Sequence, residues 1–312
     1  MAIPVVGLAM PVRNGEPFLE RSISAILGQT HQDFVLHISD NCSDDRTAEI
    51  CQDFAAGDKR ISYHRQPTNI GAAGNFNFLA KRNVAPYFKW CAGDDYLELT
   101  YLERVLAQLT GQPEVVLAHS HTRVVNEAGA TLEVFVPDFY TLGMSRLERV
   151  QNVLYRGFRC YEVFGLIRAS ALARTNLIGN HYAGDNSLML ELAMLGDFAI
   201  VPEPLFNLMR HPKQSVIRVR NSQDYNHWFR GRKKTLQFPD WAYLNACWNA
   251  HRVTALPLGE RWRYYAEMAS YSRSRSRALV SNLRVAAETV VFGQSDPMRR
   301  RLFSFGRPST KT

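Results

Sequence analysis

Between Val5 and Cys91 the chain repeats one pattern, and that pattern permits few folds. Short apolar runs at Val5–Val12, Phe34–Ile38, Ile61–His64 and Tyr87–Cys91 alternate with helix-like segments. In the first of those segments Leu19, Ile23, Ile26 and Leu27 recur at helical spacing, with Gly28 as a stop. Strands separated by helices pair side by side in parallel. The expected architecture is therefore α/β, a doubly wound and mostly parallel sheet with helices on both faces.

Each apolar run ends in a polar cluster. The first leads into Pro11-Val12-Arg13-Asn14-Gly15-Glu16-Pro17, where Asn14-Gly15 reads as a turn and Pro17 suits the first helical position. The second ends in Ser39-Asp40-Asn41-Cys42-Ser43-Asp44-Asp45, with Ser43 or Asp44 expected to cap the following helix. The third precedes Asn69-Ile70-Gly71-Ala72-Ala73-Gly74-Asn75. The fourth runs into Gly93-Asp94-Asp95, after which Thr100 and Glu103 read as a capping box for a helix from about Tyr101. Ligands of open α/β sheets bind at the carboxyl ends of the strands, so these clusters should converge on one crevice.

The adjacent carboxylates of Asp94 and Asp95 repel unless they share a cation. A hard Mg²⁺ or Mn²⁺ ion would relieve this and favours phosphate oxygens as further ligands. Asp40 is a short acceptor suited either to a pyrimidine N3–H or to a helix cap. Arg13 and Arg65 read as phosphate contacts or as solvated surface.

These residues resemble the family-2 glycosyltransferases of the GT-A fold, over about Val5 to Ser215. The pattern is Pro11-x-x-Asn14-x-Glu16-x-x-Leu19, Gln29-Thr30, Asp40-Asn41-x-Ser43-x-Asp45, Asn69-x-Gly71 with Asn75, and Gly93-Asp94-Asp95. The resemblance implies an inverting, metal-dependent enzyme that moves a sugar from a UDP- or dTDP-linked donor to a carbohydrate or glycolipid hydroxyl. It implies a nucleotide-sugar site of Pro11, Arg13, Asn14, Glu16, Asp40, Asn41, Asn69, Gly71, Asn75, Gly93 and Asp94, with Asp40 on the uracil or thymine ring. It implies Mn²⁺ or Mg²⁺ on Asp94 and Asp95, with His211 in Met209-Arg210-His211 as a candidate third ligand. Ala92 stands where the family has an acidic residue, which leaves the metal site one carboxylate short. Gly184-Asp185 matches the segment that supplies the general base, making Asp185 the catalytic candidate. A helix-end charge is the plainer role for Asp185, because Leu188, Leu192 and Leu195 form a helical stripe behind it, ended by Gly196. Glu191 reads as helix only. Arg218 and Arg220 read as a lid over the diphosphate.

Other segments carry weaker signals. Val115–Val125 and Thr131–Val136 read as a hairpin turning at Asn126–Gly129. His119 and His121 share a strand face, as a metal pair or as plain polar surface, with no third ligand evident. Phe164–Arg168 reads as a strand, and Phe198–Phe206 as a strand and turn around Pro202 and Pro204. The five cysteines are scattered, which fits a reducing compartment. The N-terminus reads as a strand, not a leader, and no apolar run approaches the roughly 20 residues of a membrane span. A cytoplasmic protein is expected, with the inner face of the membrane as a place of association.

The net charge of +8 is uneven. From Asn221 onward there are 16 Lys/Arg against 6 Asp/Glu, leaving 21 against 23 upstream. A boundary is therefore expected near Arg220, giving a catalytic domain over 1–220 and a basic helical region over 221–312. The catalytic domain would divide into a donor half, about 1–125, and an acceptor half, about 126–220. In the C-terminal region, Trp241/Leu244/Trp248, Tyr264/Tyr265/Met268/Tyr271 and Leu279/Leu283/Ala287 form amphipathic stripes. They would pack on the catalytic domain, on a second subunit, or on anionic lipid attracted by Arg273, Arg275, Arg277, Arg284 and Arg299–Arg301. No nucleic-acid module is visible. A non-catalytic sugar-nucleotide-binding or scaffold protein is the competing class. A nucleotidyltransferase would need a Gly-rich loop that is missing after Met10.

Overall fold

The computed structural model describes residues 3–137, 141–155, 159–212, 214 and 238–292. The expected alternation is present: β1 (Val6–Val12), α1 (Glu16–Leu27), β2 (Phe34–Asp40), α2 (Thr47–Gly57), β3 (Ile61–Arg65), α3 (Ala72–Ala80), β4 (Tyr87–Trp90). A two-residue β5 (Tyr96–Leu97), α4 (Tyr101–Gly111), β6 (Val115–Val125), β7 (Thr131–Phe135) and α5 (Arg146–Tyr155) follow. Then come β8 (Leu166–Arg168), α6 (Ala169–Leu172), α7 (Gly184–Leu195) and β9 (Asp197–Met209). Three helices close the described chain, α8 (Pro239–Asn249), α9 (Leu258–Ser274) and α10 (Ser276–Phe292).

All nine strands join one sheet, ordered β3-β2-β1-β4-β8-β6-β9-β5, with β7 on β6. The β3-β2-β1-β4 half is parallel, as is the β6–β9 pair, while β8 is antiparallel to both β4 and β6. The sheet is thus mixed, though β1, β2, β3, β4, β6 and β9 still run in one direction and share a carboxyl edge. The expected strand from Phe164 is shorter than its apolar residues suggest. Tyr161–Phe164 forms a 3-10 turn and only Leu166–Arg168 pairs. Pro202 and Pro204 do not turn the chain either. β9 continues through them, and its partner in β6 slips, Ser120 facing Val201 but His121 facing Pro204. Prolines cannot donate to the ladder, so the strand keeps its direction by bulging.

Two cores flank the sheet. Leu8, Met10, Leu36 and Ile38 pack with α1, α2 and α4 on one face. Phe88, Trp90, Leu117 and Ile167 pack on the other with α5, α7 and the C-terminal helices. Tyr264, Met268 and Tyr271 are buried in this second core, as their spacing requires. The third expected stripe is corrected: Leu279 is buried, but Leu283 is 49% exposed and Ala287 is also outside. The inward residues beyond Leu279 are Asn282 and Ala286, because Asn282 bonds Asp240 in both directions through its Oδ2 and backbone N–H.

Two helix starts are capped by residues other than those expected, one of them distant. Thr100 makes no side-chain cap, and Glu103 instead accepts a bond from the Thr30 hydroxyl at 2.6 Å. Gln29 caps α4, its Oε1 accepting the Leu102 N–H at 3.0 Å. At α2 neither Ser43 nor Asp44 caps; Asp45 Oδ1 takes the Thr47 N–H at 3.0 Å. Glu191 does more than occupy its helix. Buried on α7, its carboxylate accepts both the backbone N–H and the Nδ2 of Asn176, at 2.7 and 2.6 Å, while burial pushes its pKa up. Glu191→Ala should therefore cost about 1–3 kcal/mol in urea denaturation, the penalty for stranding buried donors. An unchanged midpoint would show that these bonds hold nothing.

Candidate active site

The loops after β1 and β2 are laced to each other. Asn14 N–H donates to Ser43 Oγ, Gly15 N–H to Thr47 Oγ1 and Glu16 N–H to Asp45 Oδ2. In return Asp44 N–H and Arg46 N–H donate to the side chains of Asn14 and Glu16. Asn14 sits at φ 54°, a left-handed conformation that asparagine tolerates. Asn14 and Glu16 thus serve as struts, while Arg13 stands exposed at the tip of β1 and Pro11 is buried within it.

The next loop is locked in the same way. Asn41 Nδ2 donates to Asn69 Oδ1, which also accepts the Gly71 N–H, and Asn41 Oδ1 accepts the Ile70 N–H. Gly71 has φ 78°, where a side chain would strain the backbone. Asn75 is buried and spends its amide on Ser39. These residues therefore shape the crevice wall.

Asp40 lies at the tip of β2 with no exposed surface. Its Oδ1 accepts the Ser43 N–H at 2.8 Å, and its Oδ2 accepts the Tyr63 hydroxyl at 2.9 Å. The Arg65 guanidinium lies 3.6 Å from Oδ2 and also donates to Ser43 O, so Arg65 is engaged with its own loop. A base reaching Asp40 must displace the groups over Oδ2.

At the tip of β4 the two aspartates part ways. Asp95 turns inward, only 7% exposed, and accepts the Met209 N–H at 2.9 Å. Burial, then the neighbouring Asp94 carboxylate, raises its pKa well above the usual carboxylate range. Asp94 faces outward and meets His211 from the end of β9, Oδ2 to Nε2 at 3.0 Å. His211 is buried under Phe18, ring centroids 4.4 Å apart, and its Nδ1 is buried without a hydrogen-bond partner. Ser22 anchors the turn by donating to Gly93 O at 2.9 Å. Pro17, Phe18, Arg21, Glu127, His211 and Pro212 line a cleft of about 470 Å³ here.

Asp94 and His211 form a two-donor set of carboxylate and imidazole. Mn²⁺ accepts imidazole, and Mg²⁺ or Mn²⁺ bound beside phosphates needs only one or two protein ligands. The chemistry of the pair therefore fits a cation completed by a diphosphate. Among the described residues there is no cluster of three or more His, Cys, Asp or Glu able to hold a metal. His119 is buried in β6 with Nδ1 3.3 Å from Ser120 O, and His121 is half-buried.

Asp185 opens α7. Gly184 must be glycine, since a Cβ there would meet Gly179 O at 2.2 Å, and Ala183 before it is left-handed at φ 57°. Gly196 ends α7 in an extended conformation and leads directly into β9. Asp185 is partly exposed and its Oδ1 accepts the Asn186 N–H at 2.9 Å. Arg218, Arg220 and Arg299–Arg301 lie outside the described residues.

Several supporting residues carry no sequence motif. Phe18, Arg21 and Ser22 share one face of α1, at helical spacing, and that spacing was their only signal. Lys89 is buried in β4, where it donates to Phe164 O and stands over the Tyr101 ring at 4.7 Å. Burial lowers its pKa to about 8.

The sequence profile of Glycosyl transferase family 2 matches residues 8–178, more than half the chain. The chain belongs to this family. An uncharacterized glycosyltransferase of Haemophilus influenzae is 27% identical over 49% of this chain and 63% of its own length. Chondroitin synthase of Pasteurella multocida is 24% identical over 72% of this chain, which spans only 22% of that enzyme. Among solved structures, S. aureus TarS 1-349 in complex with UDP-GlcNAc aligns at TM-score 0.57 and 13% identity, covering 93% of this chain and 92% of that one. The mannosyltransferase PcManGT from Pyrobaculum calidifontis, in complex with GDP-Man and Mn²⁺, aligns at TM-score 0.51 and 14% identity, covering 95% and 89%. These likenesses show the fold, a GT-A glycosyltransferase core followed by C-terminal helices.

Proposed function

We propose that this family-2 chain is an inverting glycosyltransferase, taking a sugar from a UDP- or dTDP-linked donor to a hydroxyl of a carbohydrate or glycolipid. The observation that carries the reading is the meeting of Asp94 and His211 across 117 positions at the carboxyl edge. Asp40 stands at the same edge, at the tip of β2. In this reading residues 1–220 hold both substrates, and the basic region follows from 221, its described helices lying within 239–292. Cell-surface polysaccharide, glycolipid or glycoconjugate synthesis is the setting proposed.

Asp94 and His211 would hold Mn²⁺ or Mg²⁺; when bound, the ion supplies positive charge to the diphosphate leaving group. Asp95 supports them from below by fixing Met209, two residues before His211. Asp185 takes the proton of the acceptor hydroxyl as its oxygen attacks the anomeric carbon from the face opposite the nucleotide. Phe18 of α1 packs on the His211 ring and holds it in place. Nucleotide release measured across a panel of UDP-, dTDP-, GDP- and ADP-sugars tests the assignment, and silence across the whole panel would favour a scaffold.

The base claim has its own test. Asp40→Asn keeps an acceptor for the Ser43 N–H but loses the charge. It should weaken UDP binding about 10- to 100-fold, the worth of a hydrogen bond to a charged group, and narrow the preference over GDP. Calorimetry showing GDP preferred by the native chain would refute pyrimidine readout.

A further inference from the structure

Among the described residues, the C-terminal helices leave one face exposed, and its composition is lopsided. On a helix of 3.6 residues per turn, Tyr264, Met268 and Tyr271 mark the inward side of α9. The opposite side carries Leu258, Trp262, Ala266 and Arg273, with Arg263 at its margin. Leu258 is 73% exposed and Trp262 is 72% exposed, with the Trp262 ring against the edge of Tyr265. Both carboxylates of α9 point elsewhere. Glu260 pairs with Arg146, and Glu267 accepts from Gln151 and the Tyr155 hydroxyl. The outward side therefore holds cations and apolar groups but no acid. α10 adds exposed Arg277 and Val280, Val280 at 62%, and its one acidic residue is Glu288, about three turns beyond Arg277. Arg275 does not contribute, since Asp240 holds it 2.9 Å away.

An exposed Trp and Leu one turn apart, flanked by arginines, place an apolar wedge inside a ring of positive charge. Trp and Arg together suit the boundary between headgroups and acyl chains. A second copy of the same face is the wrong partner, because a two-fold contact would set these cations against themselves with no acid between them. Among the described residues no helix is long and apolar enough to cross a membrane.

We propose that the outward face of α9, extended by α10, docks the protein peripherally on an anionic phospholipid bilayer. Leu258, Trp262 and Val280 enter the interface, and Arg263, Arg273 and Arg277 meet headgroup phosphates. This docking is independent of the sugar-transfer reading.

Co-sedimentation of the full chain tests it, using phosphatidylcholine vesicles with and without phosphatidylglycerol. Binding is expected only with phosphatidylglycerol, and high salt should release it. Each of Arg263→Ser, Arg273→Ser and Arg277→Ser should weaken partitioning roughly fivefold, corresponding to about 1 kcal/mol per cation near the surface. Trp262→Ser should weaken it about tenfold or more through the lost apolar area, with an unchanged melting temperature because the side chain is outside. Equal binding to both vesicle types, no binding at low salt, or native binding by Trp262→Ser would overturn the proposal. So would a native dimer that Trp262→Ser converts to monomer.

Discussion

Asp185→Asn is expected to lower kcat by about 10²–10⁴, the usual worth of a general base, with donor affinity and melting temperature close to native. The substitution keeps an Oδ1 to accept the Asn186 N–H, so the local helix start survives. It cannot take a proton from the acceptor. Were Asp185 only a charge at a helix N-terminus, its loss would cost about 0.3–1 kcal/mol of stability and turnover would persist. Stereochemistry gives an independent check. Direct displacement from an α-linked donor yields a β-linked product, readable from the anomeric proton coupling by NMR. Retained configuration, or near-native turnover in Asp185→Asn, would sink the inverting mechanism.

Chelation should abolish transfer, and Mn²⁺ or Mg²⁺ should restore it. The two aspartates are expected to respond differently. Asp94→Ala and His211→Ala remove the paired donors, so each should lower metal affinity about 10-fold or more, at least the scale on which even a supporting ligand contact matters. Asp95→Ala instead strands the buried Met209 N–H and should appear mainly as lost stability, about 1–3 kcal/mol. Asp95→Asn, which still offers an oxygen to Met209 and escapes the cost of a buried charge beside Asp94, should fold at least as well as native. Metal titration and thermal melts separate the two roles. Full activity in chelator, with no metal retained in the protein, would end the metal assignment. A large metal defect confined to Asp95 variants would reverse the roles given to the pair.

Much of the N-terminal half was legible because its information is local. Apolar runs that end in Asn14-Gly15, Asp40-Asn41 or Gly93-Asp94-Asp95 specify strand, turn and edge within a few residues, and parallel pairing then brings the tips together. The inward spacing of Tyr264, Met268 and Tyr271 was equally local, and it matches their burial.

What a window of sequence does not contain is the partner. Thr100 and Glu103 satisfy a capping box on paper, yet Gln29 reaches α4 first, from 73 positions away. Asp94 and Asp95 are identical side chains one position apart. Successive residues point opposite ways, and β9 offers a backbone N–H to one and His211 to the other. Asn282 displaces Leu283 from the inner side of α10 because Asp240 waits there to bond it. So the sequence alone determined the alternation, the crevice and the chemical types gathered at it. The tertiary structure alone decided which carboxylate faces the cleft, which helix faces stay outside, and how the antiparallel β8 joins the two halves. Long-range contacts settle these choices, since a buried polar group must find its hydrogen bond wherever the fold provides one.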